Sequence, residues 1–407
     1  MTRRPYLALF AGLLLFAALA QPPRAAAEEE DPWLRLDRVA QETIDAGETP
    51  GVVFVVGHRG KIVYRKAFGS RSLKPERTPM TVDTVFDVAS LTKVVATTSS
   101  VMSLVEAGKL RLRDPVSRYW PEFKQNGKEA VTVRQLMTHT SGLPSWENYR
   151  KAFGDLNGPA IQDVRQQILP KLAATALQNP PDTKFVYSDL GFITLGELVQ
   201  RISGEPLDQY AQRHVFAPLK MRDTGYNPDA ERRLRAAPAT LWNGTYLQGQ
   251  VHDPNAAVMG GVAGHAGLFS TGDDLARFAR MLLSSDNGDR KQYPLGPVTI
   301  RQMTSPHTPA GLPVRGLGWD IDSPYSHVRG DLMPLGSFGH TGFTGTFIWV
   351  DPYSQSFIIG LSNRVHPDEK GNVLGMWARA ANVVCGIVHP PALPPRPAVL
   401  RQPIVTQ

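Results

Sequence analysis

A serine and a lysine lie three residues apart in the stretch FDVASLTK, from Phe86 to Lys93. On an α-helix, residues i and i+3 share a face, so Ser90 and Lys93 come within hydrogen-bonding reach of each other. A serine hydroxyl becomes a useful nucleophile when a neighbouring group accepts its proton, and a partly desolvated lysine is able to do this. The pair alone is a weak signal, because a solvated lysine on a helix gives the same spacing. The stretch therefore suggests nucleophilic catalysis and needs support from the rest of the chain.

Two further stretches hold side chains of the types that transfer protons. FVYSDLGF places Tyr187 two residues before Asp189, so that one turn aims a phenol and a carboxylate into the same cleft. FGHTG, on a predicted strand, brings together His340, Thr341 and Gly342. Each stretch has a purely structural alternative: a buried tyrosine beside a helix cap, and a strand that ends in a turn glycine. Neither stretch identifies an active site by itself.

A glycine-rich segment, VHDPNAAVMGGVAGHAGLFST, spans residues 251–271 and contains His252, Asp253 and His265. One interpretation is a metal site that these residues form with His139, but neither an HExxH pattern nor a cysteine cluster supports it. The glycines instead allow backbone N–H groups to face a substrate carbonyl or anion. A tight loop whose histidines bond buried carbonyls is the structural alternative. The sequence therefore implies no metal ion and no organic cofactor.

The 407 residues carry a formal net charge of +7, which falls to +4 once Arg3, Arg4 and Arg24 are removed with an N-terminal leader. This charge is mild, and no basic stretch alternates with aromatic residues as a nucleic-acid-binding groove requires. Cys385 is the single cysteine, which excludes an internal disulfide and a thiolate metal cluster. The sequence thus predicts no nucleic-acid partner and a fold that depends on its hydrophobic core.

The N-terminus has the composition of an export signal. Two arginines precede an apolar run from Tyr6 to Ala20, and small residues then lead to the acidic residues 28–30. We predict a signal peptide over 1–27, with cleavage near Ala20 or Ala27, and a periplasmic or secreted bacterial protein without a membrane span after cleavage. The arginine pair is also similar to a twin-arginine signal. A retained anchor is the alternative, but the run is shorter than the ~20 residues of a spanning helix.

Strand-like runs occur near both ends of the chain, and helical patterns lie between them. Near the N-terminus, an amphipathic helix precedes two β-branched and aromatic runs that are separated by a short turn, which predicts a hairpin. A further helix is predicted from Leu91 to Glu106, with Ser90 at its N-terminus. The predicted strands are 51–57, 61–68, 316–322, 337–342, 344–351 and 355–363, and a last helix spans 373–388.

This arrangement predicts an α/β fold of the α+β type: an antiparallel sheet flanked by helices and assembled from both chain ends, with an inserted all-helical domain. The α/β part spans about 31–90 and 290–388 and the helical part about 91–289, all within one unit of residues 28–388. We expect the site between the two parts. Residues 389–407 form a proline-rich tail that is predicted to be extended.

The order Ser-x-x-Lys, Tyr-x-Asn/Asp, and basic residue-Thr-Gly resembles the serine β-lactamase and penicillin-binding-protein superfamily. The chain is most similar to its class C-like branch, which contains cephalosporinases, D-alanyl-D-alanine peptidases, esterases and amidases. LMTHTSGLP (136–144) and PDTKFVYSDLGF (181–192) are similar to phrases of that branch. The resemblance extends from about Val39 to Val388, and several ordered motifs are far more specific than one.

The resemblance implies a role for each matching residue. Ser90 would be the acylated nucleophile, Lys93 would take part in its activation, and Tyr187 would share proton transfer with the serine and the leaving group. The backbone N–H groups of Ser90 and Phe343 would form an oxyanion hole. The remaining substrate-binding residues implied by the motifs and by the glycine-rich segment are Asp189, Thr341, Gly342, His252 and His265.

Two positions depart from the superfamily pattern. His340 stands where a lysine is usual, and a histidine with an ordinary pKa near 6.5 would make activity depend on pH between about 5.5 and 7.5. Asp189 stands where an asparagine is usual, and its charge would keep Lys93 protonated and repel the carboxylate of a β-lactam. Both departures argue against an efficient β-lactamase.

The resemblance therefore implies an exported serine hydrolase that acts through a Ser90 acyl-enzyme on amide or ester bonds. The glycine-rich segment is similar to that of members acting on cell-wall muropeptides, so we expect a peptidoglycan-fragment or other small-molecule substrate and an activity like that of a D-alanyl peptidase or an N-acetylmuramoyl-L-alanine amidase. A small-molecule esterase, a weak class C-like β-lactamase and a penicillin-binding sensor without turnover are the alternatives. The oligomeric state is left open.

Overall fold

The computed structural model describes residues 31–152, 164–284 and 293–388. The predicted signal peptide over 1–27 and the predicted tail over 389–407 lie outside these residues. The described strands, in chain order, are β1 (Gly51–His58), β2 (Lys61–Ser72), β3 (Thr78–Pro79), β4 (Phe86–Asp87), β5 (Gly225–Tyr226), β6 (Pro238–Trp242), β7 (Thr245–Gln248), β8 (Leu268–Ser270), β9 (Val314–Arg315), β10 (Asp320–Asp322), β11 (Phe338–Gly342), β12 (Thr346–Asp351) and β13 (Ser356–Ser362).

The described α-helices are α1 (Leu34–Asp45), α2 (Ser99–Glu106), α3 (Val133–Met137), α4 (Tyr149–Ala152), α5 (Arg165–Ala174), α6 (Asp189–Ser203), α7 (Leu207–Ala211), α8 (Ala230–Arg235), α9 (Pro254–Val258), α10 (Gly272–Leu283), α11 (Pro297–Thr304) and α12 (Leu374–Ile387). A π-helical segment, Lys93–Thr98, leads directly into α2. None of the helices in the described ranges is both long and apolar enough to cross a membrane.

Eight strands from both ends of the chain form one antiparallel sheet. Its strand order is β3-β2-β1-β13-β12-β11-β10-β9. β1 pairs with β2 on one side and with β13, from the far end of the chain, on the other. The predicted antiparallel sheet, with helices on its faces, is therefore confirmed.

The sheet is covered on both faces, which explains why β1 is a continuous apolar run. Alternate side chains of a strand point to opposite faces. Phe54 packs in the core formed with α1 and α12, where the Trp377 ring meets it edge to face at 5.8 Å between centroids. Val53 and Val55 point the other way, into the larger core shared with α10 and the helical region. The central strands are thereby fixed between two layers.

The region between the sheet-forming segments is mainly helical but contains two small β elements that its pattern did not indicate. β8 pairs with β4 and β5, and β6 pairs with β7 in a hairpin. The predicted strand over 316–322 is shortened to β10 because Gly318 adopts a left-handed φ of 79°, so the chain turns there. These elements bring the Ser90 stretch, which follows β4, to the edge of the helical region that faces β11.

Replacing Gly360 by alanine is expected to destabilise the protein by about 1–3 kcal/mol, because the added Cβ would collide with the Trp377 ring of α12. Gly375, on the exposed side of α12, is the matched control, since its Cβ position has no atom within 4 Å. Alanine there should stabilise the helix by about 0.5–1 kcal/mol. Urea unfolding measures both variants, and equal stabilities would contradict this account of the contact between sheet and helix.

Candidate active site

Ser90 and Lys93 contact each other at the start of a helical segment. Ser90 follows β4 by a turn in which Ala89 has a left-handed φ of 45°. The Lys93 Nζ donates one hydrogen bond to Ser90 Oγ at 2.9 Å and another to the His265 carbonyl at 3.0 Å. The lysine side chain is fully buried, whereas Ser90 is partly exposed to the cleft. The short spacing in sequence thus becomes a direct contact between hydroxyl and ammonium.

The charge on Lys93 is set by Asp189, the first residue of α6. Burial is the largest single influence and lowers the pKa of Lys93, but the negative charge of Asp189 and the contact with Tyr187 outweigh it, so the pKa is raised. The Lys93 Nζ lies 2.7 Å from Asp189 Oδ1 and 5.0 Å from the centroid of the Tyr187 ring. As expected from the sequence, the paired carboxylate favours the protonated form of this lysine.

Tyr187 is held by the histidine of the LMTHTSGLP stretch. His139 stacks on the Tyr187 ring with 4.4 Å between centroids, and its Nδ1 accepts a hydrogen bond from the Ser188 backbone N–H at 3.0 Å. Burial lowers the pKa of His139 well below its ordinary value, with Arg315 and Lys93 adding to the effect. A neutral imidazole has the free acceptor that this bond requires. His139 therefore orients Tyr187. The metal site considered from the sequence grouped His139 with His252, but the described contacts of His139 do not include the His252 side chain.

Glycine at 342 lets β11 approach the turn that carries Ser90. A Cβ at Gly342 would collide with Thr346 Oγ1 and the Val88 carbonyl. The Thr346 hydroxyl donates to that same carbonyl at 3.0 Å. Phe343 comes next, in the turn between β11 and β12, and its ring is 56% exposed at the wall of the cleft. The strand that carries the third motif is thus pressed against the nucleophile turn.

Asp87 is a site residue that the sequence analysis missed. Its Oδ1 accepts from the Ala89 backbone N–H at 2.9 Å, and its Oδ2 accepts from the His252 backbone N–H at 2.7 Å. Burial raises the pKa of this carboxyl. The carboxylate fixes the strained turn before Ser90 and ties it to the glycine-rich segment. An acidic residue inside an apolar run was the available signal, because a buried carboxylate needs partners.

His340 lies on β11 as a buried imidazole. Its Nδ1–H donates to the Thr341 carbonyl at 2.7 Å, and its Nε2 has no hydrogen-bond partner among the described residues. Burial lowers the pKa of His340 well below the ordinary value, and the charges of Arg315 and Lys93 lower it further. The expectation that His340 titrates between about pH 5.5 and 7.5 is therefore wrong, because a protonated ring would be buried beside two cations.

The second cation is Arg315, which the sequence analysis also missed. It lies on β9 with 1% of its surface exposed, donates to the Gly318 carbonyl at 3.0 Å and pairs with Asp320 at 3.5 Å. Its guanidinium is 6.0 Å from the centroid of the Tyr187 ring. Replacement of the usual lysine by His340 was a signal that a positive charge would come from elsewhere. No periodic pattern, however, distinguished Arg315 from the other arginines.

His265 and Asp253 form a pair beside Lys93. His265 Nε2 lies 2.8 Å from Asp253 Oδ1, and Asp253 also caps α9 by accepting from the Ala256 backbone N–H. Burial by itself raises the pKa of Asp253, but His265 and that N–H outweigh it and hold the pKa at about 2. The pair fixes the His265 carbonyl, which accepts from Lys93.

Two acidic groups and a histidine have the spacing of metal ligands. Among the described residues, Asp189, Asp253 and His265 place ligand atoms within 4.8 Å of one another. This set differs from the one considered from sequence, since it contains neither His139 nor His252. The Lys93 ammonium already lies 2.7 Å from Asp189. A metal ion at this place would meet a buried positive charge, so the donor set does not suit one.

His252 belongs to the wall of the cleft. Its Nε2 contacts Glu369 Oε1 at 2.7 Å, and its ring stacks on Phe343 with 5.6 Å between centroids. The Arg364 guanidinium covers the Phe343 ring at 4.4 Å. His252 therefore links the glycine-rich segment to the turn after β11 and lies on a surface that a substrate would touch.

Two compartments meet at the nucleophile. The larger has a volume of about 600 Å³ and the smaller about 210 Å³, and both are lined by Ser90, Tyr187 and Phe343. The larger also contains Asp189 and His265, together with aromatic, polar and apolar side chains from residues 146–150, from the β6–β7 hairpin, from residues 250–258 and from the segment after β13: Trp146, Arg150, Thr240, Trp242, Leu247, Gln250, Val251, His252, Asp253, Pro254, Ala257, Val258 and Glu369. The smaller contains Arg315, Asp320, Tyr325, His340, Thr341 and Trp349. The geometry suits a substrate whose two halves differ in size and charge.

The chemistry that this arrangement supports is acyl transfer to a serine. A hydroxyl at the junction of two compartments, a buried ammonium in contact with it and a phenol beside both are the parts needed for a covalent ester intermediate. The turn after β11 offers backbone N–H groups at the same place.

Comparisons with known proteins agree with this geometry. A family model described as Beta-lactamase matches residues 36–382. A relative from Escherichia coli (strain K12) named "Putative D-alanyl-D-alanine carboxypeptidase" is 31% identical over 364 residues, which cover 82% of this chain and 82% of the relative. A relative from Bacillus subtilis (strain 168) named "N-acetylmuramyl-L-alanine amidase" is 32% identical over 375 residues, which cover 83% of each chain.

Solved structures show the same fold at lower identity. "EstCE1, a hydrolase with promiscuous acyltransferase activity" is 23% identical with a TM-score of 0.70, and the match covers 87% of this chain and 98% of that structure. The structure of a class C beta-lactamase mutant is 20% identical with a TM-score of 0.69, and the match covers 89% of this chain and 99% of that structure.

The His340 imidazole is expected to stay neutral from pH 7.5 down to pH 5.5, because its pKa is lowered by burial and by two neighbouring cations. The check is an NMR titration of the histidine ring protons, with the His340 signal identified by its loss in His340→Gln. A His340 signal that shifts between pH 7.5 and pH 5.5 would refute the neutral assignment.

Proposed function

This chain belongs to the β-lactamase family and is a serine hydrolase, and we propose that it cleaves amide bonds in peptidoglycan fragments. The observation that carries the proposal is the Ser90–Lys93 contact at the junction of two unequal compartments. The relatives named as a putative D-alanyl-D-alanine carboxypeptidase and as an N-acetylmuramyl-L-alanine amidase support this substrate class. The activity we propose is therefore that of a D-alanyl peptidase or an N-acetylmuramoyl-L-alanine amidase.

In the proposed reaction, Ser90 Oγ attacks the carbonyl carbon and loses its proton as the new C–O bond forms. The oxyanion is stabilised by the backbone N–H groups of Ser90 and Phe343, each worth on the order of 3 kcal/mol. The C–N bond then breaks, and the amine leaves after taking up a proton. Water attacks the resulting ester and releases the acid, so that Ser90 is restored.

Tyr187 is the proposed proton acceptor for Ser90. Lys93 is held as an ammonium by Asp189, and an ammonium has no lone pair with which to accept a proton. The Lys93 ammonium lies 5.0 Å from the centroid of the Tyr187 ring and stabilises negative charge on the phenol oxygen during the transfer. After bond cleavage, the same phenol is placed to return the proton to the departing amine, because Tyr187 lines both compartments.

The smaller compartment is proposed to receive a carboxylate of the substrate. Arg315 supplies a positive charge there, and Thr341 supplies a hydroxyl. The charge of Arg315 is shared with Asp320, and His340 remains neutral, so this compartment offers less positive charge than one with an additional lysine. Together with the negative charge of Asp189 beside Lys93, this weakens recognition of the carboxylate of a β-lactam.

We further propose that the protein is exported and acts in the periplasm or outside the cell. Two observations support this: the leader-like composition of residues 1–27 and the two relatives whose names refer to cell-wall bonds.

Replacing Ser90 by alanine is expected to abolish covalent labelling by a fluorophosphonate probe and to lower turnover by on the order of 10³-fold or more. Ser103→Ala, on α2 but outside the cleft, is the matched control and should label normally. Turnover is then compared for a D-alanyl-D-alanine peptide, an N-acetylmuramoyl peptide, a nitrophenyl ester and a cephalosporin. If Ser90→Ala is labelled as strongly as the wild-type protein, Ser90 is not the nucleophile. Labelling of the wild-type protein without turnover of either peptidoglycan substrate would refute the substrate class.

Replacing Asp189 by asparagine is expected to move the loss of activity at alkaline pH to a lower pH. The pair with Asp189 raises the pKa of Lys93 in the wild-type protein, whereas burial lowers it. Without the Asp189 charge, the pKa of Lys93 falls, so the ammonium loses its proton at a lower pH. The measurement is the rate of probe labelling from pH 6 to pH 10, with about a tenfold lower rate at the alkaline end. Glu369→Gln, which removes a carboxylate from the cleft wall, is the control. If Asp189→Asn is labelled faster than the wild-type protein at neutral pH, a neutral Lys93, and not Tyr187, accepts the proton of Ser90.

A further inference from the structure

The lining of the larger compartment contains two tryptophans and an arginine that the proposed chemistry does not use. Trp146 is 41% exposed, so its indole is accessible to a ligand. The Arg150 guanidinium lies on the face of Trp242, 3.6 Å from the ring centroid. We call Trp146, Arg150 and Trp242 the aromatic rim. It lines the same compartment as Ser90 and is therefore a surface for ligand contact.

Hydrogen bonds hold the first part of the aromatic rim in place. The fully buried Asn255, on α9, accepts from the Tyr149 backbone N–H at 3.1 Å and donates to the Glu147 carbonyl at 2.8 Å. These two bonds fix the segment between Trp146 and Arg150. The rim is thus formed before any ligand arrives, which lowers the entropic cost of binding.

The β6–β7 hairpin, which carries Trp242, is also tied to the sheet. Asn363 Nδ2 donates to the Pro238 carbonyl at 2.9 Å, and the His366 Nδ1–H donates to the Ala239 carbonyl at 2.9 Å. Both donors follow β13. The Trp242 ring is therefore positioned from the same sheet that carries β11, and Arg150 of α4 lies against its face.

The mixture of groups around the aromatic rim indicates the class of ligand. Thr240, Gln250 and Glu369 place hydroxyl, amide and carboxylate groups among the rings. A pyranose ring has an apolar C–H face that packs on an aromatic ring and hydroxyls at its edge that need polar partners. An acyl chain would desolvate the Thr240 hydroxyl and the Gln250 amide without offering them hydrogen bonds, which is costly.

We propose that the larger compartment binds the pyranose ring of an N-acetylated amino sugar, with the ring packed on the aromatic rim; this rests on the proposed function. The sugar-bearing acyl group is then the half retained on Ser90 Oγ, and the peptide amine leaves. The smaller compartment, with Arg315, takes the acidic peptide half. In this assignment the C–N bond that breaks joins the carboxyl group of the sugar's own substituent to the peptide, and it lies at Ser90, where the two compartments meet.

The kinetic test compares two substrates with the same scissile amide: an N-acetylmuramoyl peptide and the lactoyl peptide that lacks the sugar ring. The ratio of their kcat/KM values should favour the sugar in the wild-type protein and fall about tenfold in Trp146→Ala and in Trp242→Ala. Trp242→Phe, which keeps an aromatic face, should recover most of the ratio. Trp33→Ala removes a tryptophan that stacks on Tyr64 outside the compartment and should leave the ratio unchanged. A ratio near one in the wild-type protein, or an unchanged ratio in both alanine variants, would overturn the proposal.

A binding measurement decides the point independently of turnover. Isothermal titration calorimetry measures the binding of N-acetylmuramic acid to the Ser90→Ala protein and to the double variant that carries both Ser90→Ala and Trp242→Ala. Saturable binding that weakens about tenfold in the double variant supports the sugar site. Absence of saturable binding, or binding that is equal in both proteins, overturns it. Saturable sugar binding to the Ser90→Ala protein, combined with no turnover of either peptidoglycan substrate by the wild-type protein, would support the sugar site and refute the proposed function.

Discussion

The buried ion pair between Lys93 and Asp189 is the interaction on which the site depends. A fully buried ammonium is stable only when an opposite charge and hydrogen-bond acceptors replace the water it has lost. Asp189 supplies the charge, while Ser90 Oγ and the His265 carbonyl accept the remaining bonds. The pair therefore joins the nucleophile, the start of α6 and the glycine-rich segment, and it determines that Lys93 acts as a cation.

The other titratable groups are arranged around that cation. His139 and His340 are buried close to Lys93 and Arg315, and both imidazoles stay neutral because further positive charge would be repelled. Neutrality lets His139 accept a hydrogen bond that orients Tyr187. The site thus contains two fixed cations and neutral rings, an arrangement that suits proton transfer by a phenol better than by an imidazole.

The compartments on either side of Ser90 divide the substrate according to chemistry. The smaller one contains a buried guanidinium, while the larger one has two tryptophans in its lining. The β6–β7 hairpin and short helices of the helical part contribute to the larger compartment. The nucleophile Ser90 and β11 belong to the α/β part. Specificity can therefore change through the inserted region without any change in the reacting groups.

The sequence by itself determined the sheet-forming segments and the order of the three motifs, because β-branched and aromatic runs and short spacings such as Ser90 to Lys93 are local properties. It also indicated that Asp189 would keep Lys93 charged. Only the tertiary structure decided that His340 is neutral, that Arg315 reaches the smaller compartment and that Asp87 fixes the turn before Ser90. Those outcomes depend on burial and on charges brought together from distant parts of the chain, which spacing along the sequence does not contain.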